Sequence, residues 1–266
     1  MNSFRIVLPT PALQPYIKHF WILKTYNPDG IAERTIPTGY LQMIFHLGER
    51  LYSENERSAH PRFFISGLSS TYSDLSAKGT VSMVVAAFQP YAAGTIFQIP
   101  VNELFNRNVS TDEFGDPNLR LLQDMIFDMH DPFTAIRHIE QFCLRQLRRR
   151  QDFHFSRMVK TIGAIAKNPD IKLEELSSIA CLSTKQFQRI FTGRIGCHPK
   201  EYTKIVRFQH ALHTLQTRPE IHFAALAVES GFYDQAHMIK EFKKYSGYTP
   251  GEYVKACDPY SDFFTP

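Results

Sequence analysis

Long apolar runs are missing from this sequence of 266 residues. The longest, at residues 81–88, is much shorter than the roughly 20 residues that a helix needs to cross a bilayer. The first residues also lack the basic start and long apolar stretch of a secretory leader. The pattern therefore argues against a helical membrane protein, and we expect a cytoplasmic location.

Cysteine is scarce as well, and no two cysteines form a CxxC pair. The four are Cys143, Cys181, Cys197 and Cys257. This spacing favours neither a disulfide framework nor a zinc knuckle. A metal-binding barrel would need two neighbouring histidines followed by an acid, whereas His46 stands alone in its segment. His210 and His213 have a ligand-like spacing, but no carboxylate or cysteine completes a set, so we predict no metal and no cofactor.

The hydrophobic content of 43% is sufficient for a core and, at this length, for two domains. Up to about residue 115, short apolar runs separated by Pro and Gly predict strands. From about 118 to 150 the apolar spacing becomes three or four residues, which predicts two helices. Asp131 and Pro132 mark the start of the second of these helices.

These patterns predict an α+β protein with two domains. We expect a β-rich domain with C-terminal helices over residues 1–150, an all-α domain over 151–257 and a tail over 258–266. The basic run at 145–152 is the candidate linker. Positive charge is concentrated after it, because residues 153–257 carry 15 Lys and Arg against 9 Asp and Glu, whereas the whole chain has a net charge of only +4.

Two apolar sets in the first domain leave alternatives open. The aromatic set lines a ligand pocket or forms core, with core favoured, and comprises Trp21, Tyr40, Phe45, Phe64 and Phe88. The helical stripe pairs with a second copy or packs on the strands, with pairing slightly favoured, and comprises Phe133, Ile136, Ile139, Cys143 and Leu147.

A repeat with an offset of 51 residues runs through the second domain. Its matched pairs are Ser183 with Asp234, Phe187 with Met238, Arg189 with Lys240, Phe191 with Phe242, Gly196 with Gly247, Pro199 with Pro250, Glu201 with Glu252 and Tyr202 with Tyr253. Each copy has an apolar helix, a tight turn and a capped second helix, followed by a helix that starts at proline. This plan predicts two helix-turn-helix units, joined by a helix over Pro199–Thr217 that is roughly 28 Å long.

Local residues fit this plan. Gly231 can adopt the positive φ of a tight turn, and Ser183 and Asp234 can cap the helices that follow. Phe232 is expected in the core and Tyr233 at its rim. On a helical wheel the exposed face of the second copy carries Ala236, His237, Lys240, Lys243 and Lys244, with Gln235 and Ile239 on its flanks. The matching face of the first copy carries Lys185, Gln186, Arg189 and Thr192, with Gln188 beside them.

The segments LSTKQFQRIFTGRIGCHPKEYTKIVRFQHALHTL and LAVESGFYDQAHMIKEFKKYSGYTPGEY resemble the paired DNA-binding module of the AraC/XylS family of bacterial transcription regulators. The resemblance covers about residues 153–257 and implies a seven-helix DNA-binding domain. It also implies that bases are contacted from the positions of Lys185, Gln188, Arg189, Gln235, Ala236, Ile239 and Lys240. Ala236 and Ile239 depart from the usual pattern because they offer only apolar contact, and Met238 and Lys240 replace the commoner Phe and Arg.

The first domain is similar, more weakly, to regulatory domains of this family that form a cupin-like barrel. The resemblance of the second domain implies double-stranded promoter DNA as the partner. The resemblance of the first leaves room for a small-molecule effector and a homodimer, and contact with RNA polymerase is also possible for a regulator of this family. An enzyme carrying such a module, as in alkylation repair, would need a cysteine cluster, and no cysteine precedes Cys143. A binding protein whose helical domain no longer contacts DNA is the other alternative, favoured by Ala236 and Ile239.

Overall fold

The computed structural model describes residues 3–97, 99–148 and 152–256. The strands are β1 Ser3–Val7, β2 Ile17–Thr35, β3 Gln42–His46, β4 Tyr52–Ser53, β5 Ser58–Ala59, β6 Phe63–Ser66, β7 Ser73–Phe88 and β8 Asn108–Ser110. The helices are α1 Ala93–Ile96, α2 Pro117–Phe127, α3 Pro132–Arg148, α4 Phe155–Lys167, α5 Leu173–Ile179, α6 Thr184–Ile195, α7 Pro199–Thr217, α8 Phe223–Glu229, α9 Gln235–Ser246 and α10 Pro250–Ala256. The α+β prediction is confirmed. The boundary predicted between residues 150 and 151, Cys257 and the tail over 258–266 lie outside the described residues.

The sheet is antiparallel and is built around two long strands, β2 and β7, which pair along most of their length. Its strand order is β1-β2-β7-β3-β6-β8. The short strand β4 pairs with β5 and also with the edge of β7 that faces away from β2. The observed pairings among the described residues do not join β1 to β8. The strand-rich first part is therefore confirmed, whereas closure into a cupin-like barrel stays a prediction.

Both faces of the sheet are apolar, because successive side chains of a strand point to opposite sides. On β3, Met43 and Phe45 belong to the main core, which also contains Leu119 of α2 and Ile139 of α3. Ile44, between them, packs with a smaller cluster around Trp21 on the other face. One face of the sheet is thus covered by helices, and the other is left to line a cavity.

The stripe on α3 packs inside the chain. Ile136, Ile139 and Cys143 are buried in the main core, Leu147 packs against it, and Phe133 is exposed. Pairing of this stripe with a second copy, the slightly favoured alternative, is wrong for the three buried residues, because the chain's own strands and helices already cover them. Asp131 caps the helix as predicted, accepting a hydrogen bond from the Thr134 amide at 2.9 Å.

The seven helices that the structure describes after residue 152 divide between two cores. The first helix-turn-helix unit, including Phe187 and Phe191 of α6, shares the main core with the strand-rich part. The second unit has a separate core that contains Phe208 of α7 and Phe242 of α9. The first unit is therefore continuous with the strand-rich part in its packing, and the second is attached to it by smaller contacts.

Candidate nucleic-acid interface

The turn between the two short helices has the same backbone in both units. Gly231 has φ +77°, as predicted, and the equivalent residue in the first unit is Cys181, with φ +52°. The amides that follow donate to matching carbonyls, Leu182 to Ser177 and Phe232 to Ala227. Equivalent residues of the two units are therefore 50 positions apart in this turn. The second unit then has one additional residue, Tyr233, so that from the helix caps onward equivalent residues are 51 positions apart. Tyr233 is 91% exposed and Phe232 is buried.

The second helix of each unit, α6 and α9, is capped at both ends. The Ser183 hydroxyl accepts from the Gln186 amide at 3.4 Å, and the Asp234 carboxylate accepts from the His237 amide at 2.7 Å. At the other ends Gly196 and Gly247 adopt left-handed conformations, with φ +107° and +78°. These four residues fix the length and the direction of both helices.

The predicted inward faces of α6 and α9 are buried, and comprise Phe187, Phe191, Met238, Phe242 and Tyr245. Most of the predicted DNA contacts are exposed, namely Lys185, Arg189, Gln235, Ala236, Lys240 and Lys243. Gln188 is half-buried, and Ile239 is half-buried against the core of the second unit. The base contacts of these residues remain predictions.

Salt bridges distinguish the cations of this region. Lys244 lies 3.4 Å from Glu201, and Arg194 pairs with Asp152, so both charges are compensated within the chain. Lys185, Arg189, Lys240 and Lys243 form no salt bridge with any described residue. Positive charge without a salt bridge is therefore present on the exposed faces of both α6 and α9, where phosphate would neutralise it.

Arg207, which the sequence patterns did not single out, links the two units from the middle of α7. Its Nη2 lies 3.6 Å from Oε2 of the buried Glu241 in α9, and its Nη1 donates to the Gly231 carbonyl at 3.4 Å. The same guanidinium lies 3.9 Å from Asp170, between α4 and α5. Such an ion pair between an interior arginine and a glutamate has no sequence signal of its own, because the partners are 34 positions apart.

The strand-rich part contacts both units at equivalent places, the C-terminal ends of α6 and α9. A methyl group on Gly196 would lie 3.2 Å from the Val101 carbonyl oxygen. A methyl group on Gly247 would overlap Nη1 of Arg34 and lie 3.0 Å from ring atoms of Tyr72. Each glycine therefore serves the left-handed cap and also permits a close approach of the strand-rich part.

On the opposite face of the sheet from the main core lies a cavity of about 280 Å³. Trp21, Tyr40 and Phe64 line it. Phe45 and Phe88 belong to the main core instead. The aromatic set thus divides between the two alternatives, three residues lining a pocket and two forming core.

Three buried histidines lie in the strand-rich part: His19, His46 and His60. Burial lowers the pKa of His46 to about 3, with neighbouring His60, Arg50 and Arg62 adding to the effect. Burial also lowers the pKa of His60 to about 4, and that of His19 to about 4 with a contribution from Lys18. The His46 and His60 rings are 6.5 Å apart, but no group of three His, Cys, Asp or Glu residues in the described part of the chain could hold a metal ion.

Comparison with known families finds matches for two separate regions of the chain. Residues 5–110 match a domain of unknown function, DUF6597, and residues 176–256 match the family described as a helix-turn-helix domain. The chain therefore carries an AraC-type helix-turn-helix domain in its C-terminal part.

Similar proteins include an uncharacterized HTH-type transcriptional regulator of Haemophilus influenzae, 26% identical over 179 residues, which are 66% of this chain and 59% of the relative. The transcriptional regulatory protein YesN of Bacillus subtilis is 27% identical over 100 residues, which are 37% of this chain and 27% of YesN. The chain thus matches less than two thirds of the length of either relative.

Among solved structures, ToxT of Vibrio cholerae aligns over 95% of this chain and 98% of its own, with 11% identity and a TM-score of 0.45. The DNA-binding domain of AdpA, in complex with a target DNA, aligns over 37% of this chain and 90% of its own, with 21% identity and a TM-score of 0.36.

Proposed function

We propose that this protein is a sequence-specific DNA-binding transcription regulator and not an enzyme. The observation that carries the proposal is the pair of capped helix-turn-helix units whose exposed helix faces hold cations that form no salt bridge with any described residue. The match of residues 176–256 to a helix-turn-helix domain and the regulator relatives support it.

In this proposal α6 and α9 enter successive segments of the major groove. The residues that contact DNA are Lys185, Gln188, Arg189, Gln235, Ala236, Ile239, Lys240 and Lys243. Arg189 has the fork of donors that pairs with guanine, and Gln188 and Gln235 suit adenine. Ala236 and the half-buried Ile239 offer apolar contact to a thymine methyl. Lys243, later in α9, contacts phosphate.

The proposed domains are a regulatory domain over residues 1–150, a DNA-binding domain over 151–257 and a tail over 258–266. The regulatory domain controls DNA binding through a small-molecule effector or a homodimer, and RNA polymerase is a further partner. We propose a cytoplasmic location. No helix that the structure describes is both long and apolar enough to span a bilayer.

The test is selection of genomic fragments by the purified protein, followed by fluorescence anisotropy with the enriched duplex. Arg189→Ala should weaken binding by about 1–3 kcal/mol and relax the preference at one base position. Arg218→Ala is the matched control, because it removes the same charge from an exposed arginine that pairs with Glu229 away from α6 and α9.

Salt dependence supplies a second criterion. Affinity should fall steeply with salt, because each phosphate contact releases a counterion. Affinity that hardly changes with salt, or an enriched pool without any shared motif, would refute the proposal. Equal losses for Arg189→Ala and Arg218→Ala would show that α6 does not specify the sequence.

A further inference from the structure

The cavity in the strand-rich part has an apolar interior and a polar mouth. Its inner wall is made by side chains from β2, β3, β6 and β7, including Trp21, Ile44, Phe64, Leu75 and Met83. Exposed residues at its mouth include Asn55, Asn106 and Arg107. A small molecule would therefore lose its apolar surface to the interior and keep contact with polar groups at the entrance.

Charge is absent from the inner wall among the described residues. The two lining residues with a full charge, Glu56 and Arg107, are exposed and opposite in sign. His60 also lines the cavity, and because burial lowers its pKa to about 4 it is neutral at pH 7. An ionised ligand group would lose its hydration in this interior without gaining a counter-charge, at a large cost in free energy.

The wall nevertheless has a hydrogen-bond donor to offer. Gln42 lines the cavity and is 9% exposed, and its Nε2 has no hydrogen-bond partner among the described residues. Nδ1 of His60 also has no hydrogen-bond partner among the described residues, and this residue is 5% exposed. The other ring nitrogen, Nε2, lies 3.4 Å from the Asn108 side-chain amide. A buried donor without a partner costs about 1–3 kcal/mol, which a ligand carrying an acceptor would recover.

Segments that line the cavity also hold the second helix-turn-helix unit. Gln209 of α7 donates to the Pro37 carbonyl, and the Thr71 hydroxyl donates to the Lys244 carbonyl at 3.3 Å. Pro37, Thr71 and Tyr72 are all lining residues. A ligand that moves these segments would therefore move groups that contact α7 and α9.

Arg34, which directly precedes the lining residue Thr35, completes this connection. Its Nη1 donates to the Ser246 carbonyl at 3.4 Å, at the end of α9. Its guanidinium lies 4.1 Å from the Tyr72 ring centre and 4.6 Å from that of Tyr248. The second unit has its own core. It can therefore shift when these few contacts break, without unfolding of the rest of the chain.

We propose that the cavity binds an uncharged, mainly apolar small molecule with a hydrogen-bond acceptor, and that its occupancy alters the packing of the second helix-turn-helix unit through Arg34 and the lining segments. The binding site stands independently of the proposed function. Only its consequence for gene control rests on that function.

Three probes of similar ring structure test the ligand class by calorimetry: α-tetralone, tetralin without the carbonyl, and tetralin-carboxylate with a charge. We expect α-tetralone to bind about tenfold more tightly than tetralin, and the carboxylate to bind most weakly. Trp21 is the only tryptophan of the chain and lines the cavity, so its emission reports occupancy of this site.

The variant Gln42→Leu should remove the preference for α-tetralone over tetralin and leave tetralin binding nearly unchanged. Gln123→Leu on α2 is the matched control, because that residue does not line the cavity. No binding by any probe, tightest binding by the carboxylate, or binding without a change in Trp21 emission would overturn the site. Retention of the preference in Gln42→Leu would overturn the assigned donor.

Hydrogen exchange tests the connection to the second unit. Saturating α-tetralone should change the rate of amide exchange over residues 244–248 by at least about twofold, without a comparable change in α6. Arg34→Met should abolish this response while Trp21 still reports binding, and Arg5→Met, on the exposed edge strand β1, should preserve it. An unchanged exchange rate at 244–248 in the wild type, or the same response in Arg34→Met, would refute the connection. Because no DNA is used, these outcomes are separate from those that test DNA binding.

Discussion

Arg207→Met removes the guanidinium that links the two helix-turn-helix units and keeps most of the side chain's apolar length. Its partners are the buried Glu241 at 3.6 Å, Asp170 at 3.9 Å, the Gly231 carbonyl at 3.4 Å and the Phe232 ring at 5.5 Å. The pair with Asp170 contributes little, because that carboxylate is 80% exposed. The contact with Glu241 dominates, because both side chains are mostly buried, at 13% and 11% exposure.

The magnitude follows from what Glu241 retains. Lys204 remains 3.7 Å and His237 3.4 Å from its carboxylate, so the charge is not left alone. We therefore assign about 2 kcal/mol to the lost ion pair, below the about 3–5 kcal/mol expected for complete isolation of a buried charge. The ring contact with Phe232 adds about 0.5–1 kcal/mol. The free energy of unfolding should fall by about 3 kcal/mol in total.

Urea unfolding followed by far-ultraviolet circular dichroism measures this loss. The double variant Arg207→Met/Glu241→Leu should lose less than the sum of the two single variants, with a coupling of about 1–2 kcal/mol. Arg218→Met, which breaks the exposed pair with Glu229, should leave the free energy of unfolding nearly unchanged. Additive single variants, or a loss below about 1 kcal/mol for Arg207→Met, would refute the role of Arg207 as a link.

Three further predictions concern histidines, a glycine and a helix cap. The pKa values of His19, His46 and His60 in the folded state are about 3–4, below the ordinary 6.5. Their contribution to the stability of the folded state is therefore fully present above pH 6.5 and is lost as the pH falls towards 4. Urea unfolding should therefore show about 4 kcal/mol less stability at pH 5.5 than at pH 7, and a flat profile would contradict burial of neutral rings. Gly247→Ala should cost more than Gly115→Ala, because both have positive φ but only Gly247 faces another domain; equal losses by the same assay would count against that close contact. Asp234→Ala should cost about 1 kcal/mol through loss of the α9 cap, and an unchanged melting temperature would show that the cap is dispensable.

Most of the fold could be predicted because its signals are local. Proline at the first helical position marks α3 and α7, and the 19-residue length of α7 follows from its apolar spacing and its start at Pro199. The left-handed Cys181 could not be predicted, because a non-glycine residue gives no sign of positive φ. The additional residue Tyr233 could not be predicted either. All matched pairs of the repeat lie at the caps of the second helices, in these helices or after them, so the offset of 51 gives no information about the turn before these helices.

The cavity was ambiguous in the sequence because both faces of the strands are apolar. Trp21 and Phe20 are adjacent and both buried, yet only Trp21 lines the cavity. Which of two apolar faces meets helices depends on long-range packing, and no local pattern encodes it. The same limit applies to Arg207 and Arg34, whose partners lie far away in the sequence.

The positions of the domain contacts restrict how the strand-rich part could regulate DNA binding. It contacts the two units near Gly196 and Gly247, at the C-terminal ends of α6 and α9. In the proposed function the bases are contacted from the N-terminal residues of these two helices, around Lys185 and Gln235, as in other helix-turn-helix proteins. Those residues stay exposed while the contacts persist. Regulation through these contacts would therefore change the relative orientation of the two helices and would not cover them. The second unit is the one that can rotate, because its core is separate.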